Sequence, residues 1–379
     1  MVNFQMINNK IIFMTYYYIG EHMKNSVIKT LLFILFILPI NTSAASSYSA
    51  LVMDIDSGRI LYKTNIDNKQ LIASITKIMT CIIVLENADI NREIVVGDEI
   101  LSMYGTNIYL EVGEKIKIED LLYGMMLRSG NDAALSLATN TLGEEEFVEK
   151  MNEKAKELKM NNTVFENVHG LDDDTKNYST AYDMALLGRY AYNNPIYRKI
   201  IKTKKYVAKT SLKSYVWYNR MSLLSRYKKC IGGKNGYTPQ AGKTLVSYAE
   251  DNNMKLMIVS LNDSEIYENH KNLYLNYFNN YNNYLIIDKN NFQISPLIKN
   301  EKYYIKDDYR YPLASGELGK IKTLINIYPI ENKRRNNIVG EISIKFGNKE
   351  LKKIDIYERR SQKKKDKSIF QKIIHLFIR

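Results

Sequence analysis

Ser74 and Lys77 stand three residues apart in the segment Ser74-Ile75-Thr76-Lys77. On a helix, residues three apart share a face, so the Lys77 amine can lie beside the Ser74 hydroxyl. A serine hydroxyl is a weak nucleophile without a base. A lysine amine serves as that base only where burial or a neighbouring cation lowers its pKa. Chance matches to Ser-x-x-Lys are frequent in a lysine-rich chain, so this motif alone is a weak indication of a nucleophile.

Two further polar motifs follow in the chain. Ser129-Gly130-Asn131 lies at a break between two predicted helices, where a turn presents both polar side chains at one edge. Gly233-Lys234-Asn235-Gly236-Tyr237-Thr238 precedes a strand-like run, and a cation beside glycines lets a backbone edge approach an anionic substrate closely. Taken singly, the first motif is better explained as an ordinary turn with Asn131 as a helix N-cap, and the second as a hairpin turn.

Hydrophobic patterning predicts the elements that position these motifs. Ser74 is a plausible N-cap for the helix that carries Lys77, and short apolar runs around Asp56-Ser57-Gly58 predict a β-hairpin. The predicted strands are 49–54, 59–63, 244–249 and 255–261, and the predicted helices are 74–86, 119–127, 131–139, 145–158, 180–192 and 267–280. Strands at both ends with helices inserted between them indicate an α/β (α+β) domain with a mainly antiparallel sheet.

The character of the chain changes from about residue 284. Short alternating runs replace the helices and predict a small β domain; they are 294–298, 302–305, 321–328 and 338–345. We therefore expect a catalytic domain over 46–283, a β-rich domain over 284–357 and a separate tail over 358–379.

The N-terminal region has the pattern of a secretory signal peptide. Residues 31–40 are uncharged and apolar, Lys24 and Lys29 precede them, and small residues follow up to Ala45. The apolar run is about half the ~20 residues that a spanning helix needs, although a retained membrane helix is the alternative. We expect a signal peptide over 23–45, an upstream extension over 1–22, and export to the outer face of a bacterial cytoplasmic membrane or the cell-wall space.

The tail is strongly basic and then apolar. Residues 352–379 hold ten Lys or Arg against three acidic residues, which gives a net charge of +7. The apolar residues after this cluster fall mainly on one helical stripe; they are Ile369, Phe370, Ile373, Ile374, Leu376 and Phe377. This pattern predicts an amphipathic anchor to an anionic membrane surface, and a charged run followed by a helix docked on the protein is the alternative.

Composition excludes several classes of protein. The chain has 379 residues, of which 45% are hydrophobic, so it is not a disordered tail protein. Two cysteines and four histidines exclude a disulfide framework and a Cys/His metal cluster, and we expect no metal or cofactor. The net charge of +13 alone would suit nucleic acid, but the export signal and the lack of a recognition motif argue against it. Cys81 is predicted to be a core thiol, and a Cys81–Cys230 disulfide remains open.

In this order and spacing, the three motifs resemble the signature of the penicillin-binding proteins and class A β-lactamases. Their flanks are similar to the low-molecular-mass penicillin-binding proteins, the serine D-alanyl-D-alanine carboxypeptidases. The similar segments are Ala50–Asp54 with Ser57–Tyr62, Ala73–Thr80, Leu121–Gly124, Arg128–Ala134, His169–Asp172 and Tyr178–Ala181. The resemblance covers about 48–283 and implies the β-lactamase/transpeptidase-like fold.

The resemblance also implies roles for the site residues. Ser74 would attack the bond between the D-alanines of a peptidoglycan stem peptide, and Lys77 would accept its proton. Ser129 would relay a proton to the leaving amine, and Asn131 would hold the substrate or orient Lys77. The backbone N–H groups of Ser74 and Tyr237 would form an oxyanion hole. β-Lactams would then be inhibitors.

Carboxylate recognition is the part of the pattern from which this chain departs. Lys234 would attract the terminal carboxylate of the substrate, beside Gly236. The family usually has threonine where this chain has Asn235, whose amide can still donate a hydrogen bond, and Thr238 is available further along the same motif.

Two rival functions share these motifs. A serine β-lactamase would need a deacylating glutamate after the second motif, and the flanks of Glu166 do not resemble that loop. The β domain and tail also argue against a β-lactamase. The other rival is a catalytically weak wall-binding protein, with Asn235 as the mark of decay.

Overall fold

The computed structural model describes residues 48–294, 303–329 and 337–359. The predicted upstream extension, the signal peptide and the tail beyond Arg359 lie outside these residues, as do most of the predicted strand 294–298 and the start of 302–305. Within the described residues, no helix has both the length and the apolar character needed to cross a membrane.

A five-stranded antiparallel sheet forms the centre of the catalytic region, in the order β2-β1-β11-β10-β9. Its strands are β1 (Ser49–Asp54), β2 (Ile60–Thr64), β9 (Cys230–Thr238), β10 (Gly242–Asp251) and β11 (Met254–Leu261). Strands β1 and β11 are buried almost throughout, as expected for strands covered on both faces. Strand β9 is an edge strand, so one side of its backbone is unpaired within the sheet.

Helices cover both faces of this sheet. They are α1 (Lys77–Asn87), α2 (Ile118–Arg128), α3 (Asn131–Thr141), α4 (Glu144–Glu157), α5 (Ala181–Asn193), α6 (Pro195–Lys202), α7 (Leu223–Arg226) and α8 (Ile266–Asn280). Because side chains alternate along a strand, Leu51 and Met53 join the large core under α1–α6, whereas Val52 joins a second core under α7 and α8.

Three small two-stranded sheets surround the central one. The first pairs β3 (Gln70–Leu71) with β6 (Tyr178–Ser179), the second pairs β4 (Glu93–Val95) with β5 (Lys115–Lys117), and the third pairs β7 (Lys205–Lys209) with β8 (Ser214–Tyr218). The β7–β8 hairpin packs against α2 through stacked aromatic rings, so it is anchored to the helix that ends at Ser129.

The C-terminal region is built from β strands with their own small core. Strand β12 (Tyr281–Ile287) pairs with β14 (Tyr309–Ala314), and a four-stranded sheet has the order β13 (Tyr303–Tyr304), β17 (Lys349–Glu358), β16 (Ile338–Phe346) and β15 (Ile321–Ile327). The predicted boundary after residue 283 falls within β12.

Arg59 joins this region to the β1–β2 hairpin. Its guanidinium donates to the Pro312 carbonyl at 2.6 Å and to both carboxylate oxygens of Glu317 at 3.0 and 2.9 Å. The rings of Tyr281 and Phe346 lie 5.4 and 4.8 Å from the guanidinium carbon. Nη1 donates to the carbonyl and Nη2 to the carboxylate while the planar group lies against aromatic rings, a combination that a lysine ammonium does not reproduce. This contact fixes the β sheets against the catalytic region.

The predicted fold class is confirmed, with mixed helices and antiparallel sheets followed by a C-terminal β region. Helix 119–127 is observed as Ile118–Arg128 and helix 131–139 as Asn131–Thr141. Ser74 is not an N-cap, because it lies inside a 3₁₀ turn and α1 begins only at Lys77. The interpretation of residues 233–238 as a hairpin turn is wrong as well, since they form the end of β9.

The cysteines and part of the basic tail also differ from expectation. Cys81 and Cys230 are both buried free thiols, so the Cys81–Cys230 disulfide that the sequence left undecided does not form. Lys352 and Lys353, which the sequence pattern grouped with the basic tail, are exposed residues of β17. Strand pairing with β16 places these two lysines in the β region.

A buried histidine connects α8 to the central sheet and makes stability depend on pH. The His270 nitrogens contact the hydroxyls of Ser247 and Ser260 at 2.7 and 2.8 Å, and burial lowers the pKa of His270 to about 3. In the unfolded chain, histidine takes up a proton below about pH 6.5. Folding therefore excludes this proton between pH 6.5 and 3, and stability is lost as the pH falls through that window.

Urea unfolding at pH 7.5 and 5.5 checks this expectation. Between the two pH values, the free energy of unfolding of wild type should fall by about 1.4 kcal/mol more than that of His270→Gln. This is the contribution of one pH unit, because the unfolded histidine takes up its proton only below about pH 6.5. Other titrating groups are common to both proteins and cancel in the comparison. Equal losses would show that His270 is protonated in the folded state.

Candidate active site

Ser74 lies half-buried in a tight 3₁₀ turn, Ala73–Thr76, directly before α1. Ala73 has a φ of 48°, a left-handed conformation that is uncommon for a residue with a side chain. The turn is held from two sides. The Thr244 hydroxyl on β10 donates to the Ile72 carbonyl at 3.0 Å, and Gly170 approaches so closely that a Cβ there would clash with the Ala73 carbonyl. The surrounding structure thus imposes the strained conformation that presents Ser74.

The Lys77 amine is completely buried and has three oxygen neighbours. It lies 3.0 Å from Ser74 Oγ, 2.7 Å from Asn131 Oδ1 and 2.5 Å from the His169 carbonyl. Burial lowers the pKa of Lys77 well below its usual value, and the nearby Lys234 charge lowers it further, although Asp132 opposes this effect. Lys77 is therefore a neutral amine in a range of pH where an exposed lysine is charged.

The three neighbours determine where the lone pair of that amine points. A neutral amine has two N–H donors and one lone pair. Asn131 Oδ1 and the His169 carbonyl can only accept, so they take the two N–H groups. The lone pair is then left for the Ser74 hydroxyl, which is the orientation a general base needs. After proton transfer, the ammonium group has three N–H donors and can donate to all three oxygens.

Ser129 and Asn131 come from the junction of α2 and α3. Ser129 has a φ of 66° and ends α2, whereas Asn131 is the first residue of α3. The Asn131 amide is oriented by its Nδ2, which donates to the Tyr104 carbonyl at 2.8 Å. Ser129 Oγ accepts from Lys234 Nζ at 3.0 Å. This junction therefore links the second motif to Lys77 on one side and to Lys234 on the other.

Strand β9 supplies the third motif along its unpaired edge. Lys234 is buried, and its amine also donates to the Asn235 carbonyl at 2.6 Å. Burial lowers the pKa of Lys234 to about 7, with a smaller contribution from Arg220. Gly236 lies against the Ala73–Thr76 turn, which we call the nucleophile turn, and a Cβ on residue 236 would stand 2.7 Å from the Ser74 backbone nitrogen. The strand edge can approach Ser74 this closely because residue 236 has no side chain.

The remaining predicted residues of this motif have different surroundings. Asn235 is half-buried, and the Tyr237 side chain is 64% exposed. Thr238 is buried, and its hydroxyl donates to Asp172 Oδ2 at 2.5 Å. Because Asp172 engages this hydroxyl, Thr238 holds the loop after residue 170 against β9. Its predicted contact with substrate would require that bond to break.

Several contributors to the site carry no motif of their own. Tyr104 and His169 contribute backbone carbonyls, and Arg220 contributes positive charge near Lys234. The His169 ring is buried, its Nδ1 accepts from the Leu171 N–H at 3.1 Å, and burial lowers its pKa to about 3. The imidazole is thus neutral and structural. The His169–Asp172 segment was the one sequence signal that pointed to this loop.

The carboxylates considered near the site are engaged with backbone N–H groups. Asp132, whose charge acts on Lys77, accepts from the Ile108 and Leu110 N–H groups. Glu166 is exposed, and its carboxylate accepts from the Lys176 N–H at 2.6 Å. Within residues 48–294, no carboxylate makes a hydrogen bond to Ser74 or Lys77. In the described parts of the chain, no three His, Cys, Asp or Glu residues are grouped so that they could hold a metal ion.

Comparison with known proteins finds a matching family and several relatives. Residues 39–265 match the peptidase family S11, described as D-alanyl-D-alanine carboxypeptidase. The chain is 35% identical over 223 residues to D-alanyl-D-alanine carboxypeptidase DacF of Bacillus subtilis, a match that covers 57% of each protein. It is 34% identical over 213 residues to a D-alanyl-D-alanine carboxypeptidase of Streptomyces strain K15, covering 51% of this chain and 73% of that protein.

A solved structure resembles more of the chain. Penicillin-binding protein 6B of Escherichia coli aligns with a TM-score of 0.64 at 26% identity, covering 81% of this chain and 93% of that one. The aligned part therefore extends beyond the catalytic region. The sequence match to the Bacillus relative, in contrast, spans just over half of that protein's length. Since the family match covers more than half of the residues and includes all three motifs, the chain belongs to peptidase family S11, the D-alanyl-D-alanine carboxypeptidases.

Proposed function

We propose that this protein removes the terminal D-alanine from peptidoglycan stem peptides through an acyl-serine intermediate, and so limits cross-linking. The observation that carries the proposal is the buried Lys77 amine, whose two acceptor neighbours leave its lone pair to the Ser74 hydroxyl. Family membership supports the substrate class. β-Lactams are expected to acylate the same serine.

In the acylation step, Ser74 is the nucleophile and Lys77 is the base. Ser74 Oγ bonds to the carbonyl carbon between the two D-alanines, and its proton passes to Lys77. The carbon–nitrogen bond then breaks, and Ser129 passes a proton to the leaving amine. Lys234 lies 3.0 Å from Ser129 Oγ and can replace that proton. Free D-alanine leaves, and Ser74 carries the ester of the shortened peptide.

The edge of β9 contributes to stabilising the negative charge that develops on the carbonyl oxygen of the substrate. We assign the backbone N–H groups of Ser74 and Tyr237 as its donors, because Gly236 brings the two segments into contact. Donors of this kind are worth about 3–4 kcal/mol of barrier each. Lys234 and Arg220 supply positive potential for the terminal carboxylate of the substrate, and the Asn235 amide is a further donor beside them.

Water completes the cycle by hydrolysing the Ser74 ester. Lys77 can act as base again once its extra proton has passed through water to the Lys234 amine, which gave up a proton through Ser129 during acylation. The β-lactamase alternative gains no support, since the carboxylate of Glu166 is engaged with the Lys176 N–H at the surface. We therefore expect a penicillin adduct on Ser74 to be long-lived.

We further propose that the protein acts outside the cytoplasmic membrane. The apolar run 31–40 after Lys24 and Lys29 supports export. The basic and apolar residues after Arg359 support attachment to anionic lipid. Both segments lie outside the described residues. Cell fractionation of full-length and tail-truncated protein tests whether the protein is exported and whether the tail attaches it to the membrane.

Labelling with a fluorescent penicillin tests the central proposal. Wild type should form a covalent adduct and release D-alanine from a short acylated peptide ending in D-Ala-D-Ala, whereas Ser74→Ala should do neither because it lacks the nucleophile. Equal labelling of both proteins would refute the assignment of Ser74. A wild type that neither labels nor releases D-alanine would indicate the catalytically weak wall-binding protein, and rapid turnover of penicillin would indicate a β-lactamase.

A further inference from the structure

The β7–β8 hairpin has an inner and an outer face with different roles. Its inner face carries Tyr206 and Trp217, which stack with each other, and Tyr206 also stacks with Tyr123 of α2. Its tip is also fixed, because the Lys115 N–H on β5 donates to Ser211 Oγ at 2.9 Å. The hairpin is therefore a rigid wall of the catalytic region, and its inner face accounts for its stability.

The outer face carries exposed apolar side chains between two lysines. We define it as Lys205, Val207 and Lys209 on β7 with Val216 and Tyr218 on β8. Val207 and Val216 are paired across the strands and are each 51% exposed. Tyr218 is 57% exposed, and Lys205 lies over its ring. Exposed apolar groups rimmed by polar ones are typical of binding surfaces.

This outer face leads directly to the active site. The Tyr218 carbonyl accepts from Arg128, the residue before Ser129, at 3.4 Å. Two residues after Tyr218, the Arg220 N–H donates to the Leu127 carbonyl at 3.0 Å. The Arg220 charge in turn acts on Lys234. A ligand that enters the cleft beside Ser129 and extends outward along this wall therefore meets the outer face.

The charge of this region selects the kind of ligand. Residues 184–249 contain 14 Lys or Arg and no Asp or Glu. This segment includes α6, the hairpin and β9. Lys199, Lys213 and Lys229 pair with acidic residues of other segments, and Lys234 is buried. The remaining cations, which include Lys205 and Lys209 of the outer face, leave an excess of positive charge that attracts polyanions and raises their rate of encounter. Stem peptides on one glycan strand present repeated free carboxylates, and the sugar rings between them present apolar faces.

We infer that the outer face of the hairpin binds the peptidoglycan polymer beside the peptide being cleaved. Lys205 and Lys209 face carboxylates of neighbouring stem peptides, and Val207, Val216 and Tyr218 contact the sugar rings. A bilayer is the less suitable occupant, because a membrane lying on this face would cover the mouth of the cleft through which the polymer enters. The inference rests on the proposed function and extends its substrate from a peptide to a polymer.

The test compares a polymeric with a short substrate in the full-length protein. Two variants change only exposed residues: Val207→Thr/Val216→Thr/Tyr218→Thr and Lys205→Gln/Lys209→Gln. Matched controls on the β region are Leu324→Thr, which is 66% exposed, and Lys322→Gln/Lys345→Gln, an exposed cross-strand pair. D-Alanine release is measured on peptidoglycan stripped of its anionic secondary polymers and on a short acylated D-Ala-D-Ala peptide.

Both hairpin variants should raise KM on the polymer roughly tenfold, as expected when a few contacts carry much of the binding energy. Their kcat/KM on the short peptide should stay at the wild-type value, and the controls should match wild type on both substrates. Unchanged KM on the polymer would overturn the inference. Loss of binding to phosphatidylglycerol vesicles with unchanged polymer kinetics would overturn it in favour of a membrane.

Failure of the proposed function would give a different pattern. Wild type would then release no D-alanine from either substrate. Sedimentation with the stripped polymer still decides the inference in that case, because the hairpin variants should pellet less than their matched controls. Equal pelleting of variants and controls would overturn it.

Discussion

Replacing Lys77 with glutamine is expected to slow acylation by penicillin roughly 10²–10⁴-fold, the usual contribution of a positioned general base. The introduced amide retains two N–H donors for Asn131 Oδ1 and the His169 carbonyl, but it has no lone pair basic enough to take the Ser74 proton. The buried acceptors therefore keep donors near them while the base is lost. Second-order labelling rates for wild type and Lys77→Gln, with thermal unfolding to confirm folding, measure the effect.

Lys77→Arg separates the role of the base from the role of the charge. A guanidinium keeps the positive charge and the donors but is not deprotonated in proteins, so this variant should be as inactive as Lys77→Gln. In wild type, the labelling rate should rise with pH through a pKa well below that of an ordinary lysine, because burial disfavours the charged amine. An arginine variant that retained most of the rate would show that Lys77 acts through charge alone.

Gly236→Ala is expected to lower acylation roughly 10²–10³-fold, which is the effect of losing one oxyanion-hole donor. The added Cβ would lie 2.7 Å from the Ser74 nitrogen and 2.7 Å from Thr244 Oγ1, so β9 or the nucleophile turn must move. Such a shift separates the Ser74 and Tyr237 N–H groups that we assign to the oxyanion. Penicillin labelling and peptide hydrolysis should fall together.

Gly319→Ala is the matched control for this change. Among the described residues, no atom lies within 4 Å of a Cβ built on Gly319, and that residue belongs to the β region. It should label at the wild-type rate and unfold at the wild-type temperature. If Gly236→Ala also retained the full rate while folded, the close contact between β9 and Ser74 would have no role in catalysis.

Local patterns predicted six of the described helices well, missed the short helices α6 and α7, and predicted the third motif's strand poorly. Helical periodicity is a property of neighbouring residues, so α2 and α3 lie within about two residues of their predicted ends. Strand β9 lacks the apolar alternation that marks most strands, because Gly233 and Gly236 pack against backbone atoms of β10 and of the nucleophile turn. Glycines that permit close contact therefore look like a turn in the sequence.

The side chains that we propose for catalysis could be identified from the sequence, but the groups that position them could not. Ser74, Lys77 and Asn131 could be named because residue type and spacing distinguish them. The Tyr104 and His169 contributions are backbone carbonyls, which every residue possesses, so residue type gives no signal for them. The left-handed conformation of Ala73 could not be predicted from the sequence either, since it is imposed by Gly170, which is distant in the sequence.

The loop behind Ser74 makes the site a late product of folding. Asn177 donates to Thr76 Oγ1, and Thr80 donates to the Val168 carbonyl, so this distant loop braces both the turn and the start of α1. Strand β9 lies further along the chain again. Contacts of such large sequence separation form slowly, after most of the chain has been ordered. Reactivity of Ser74 toward a penicillin should therefore report the moment at which the whole catalytic region has folded, and can serve as a folding probe in cells.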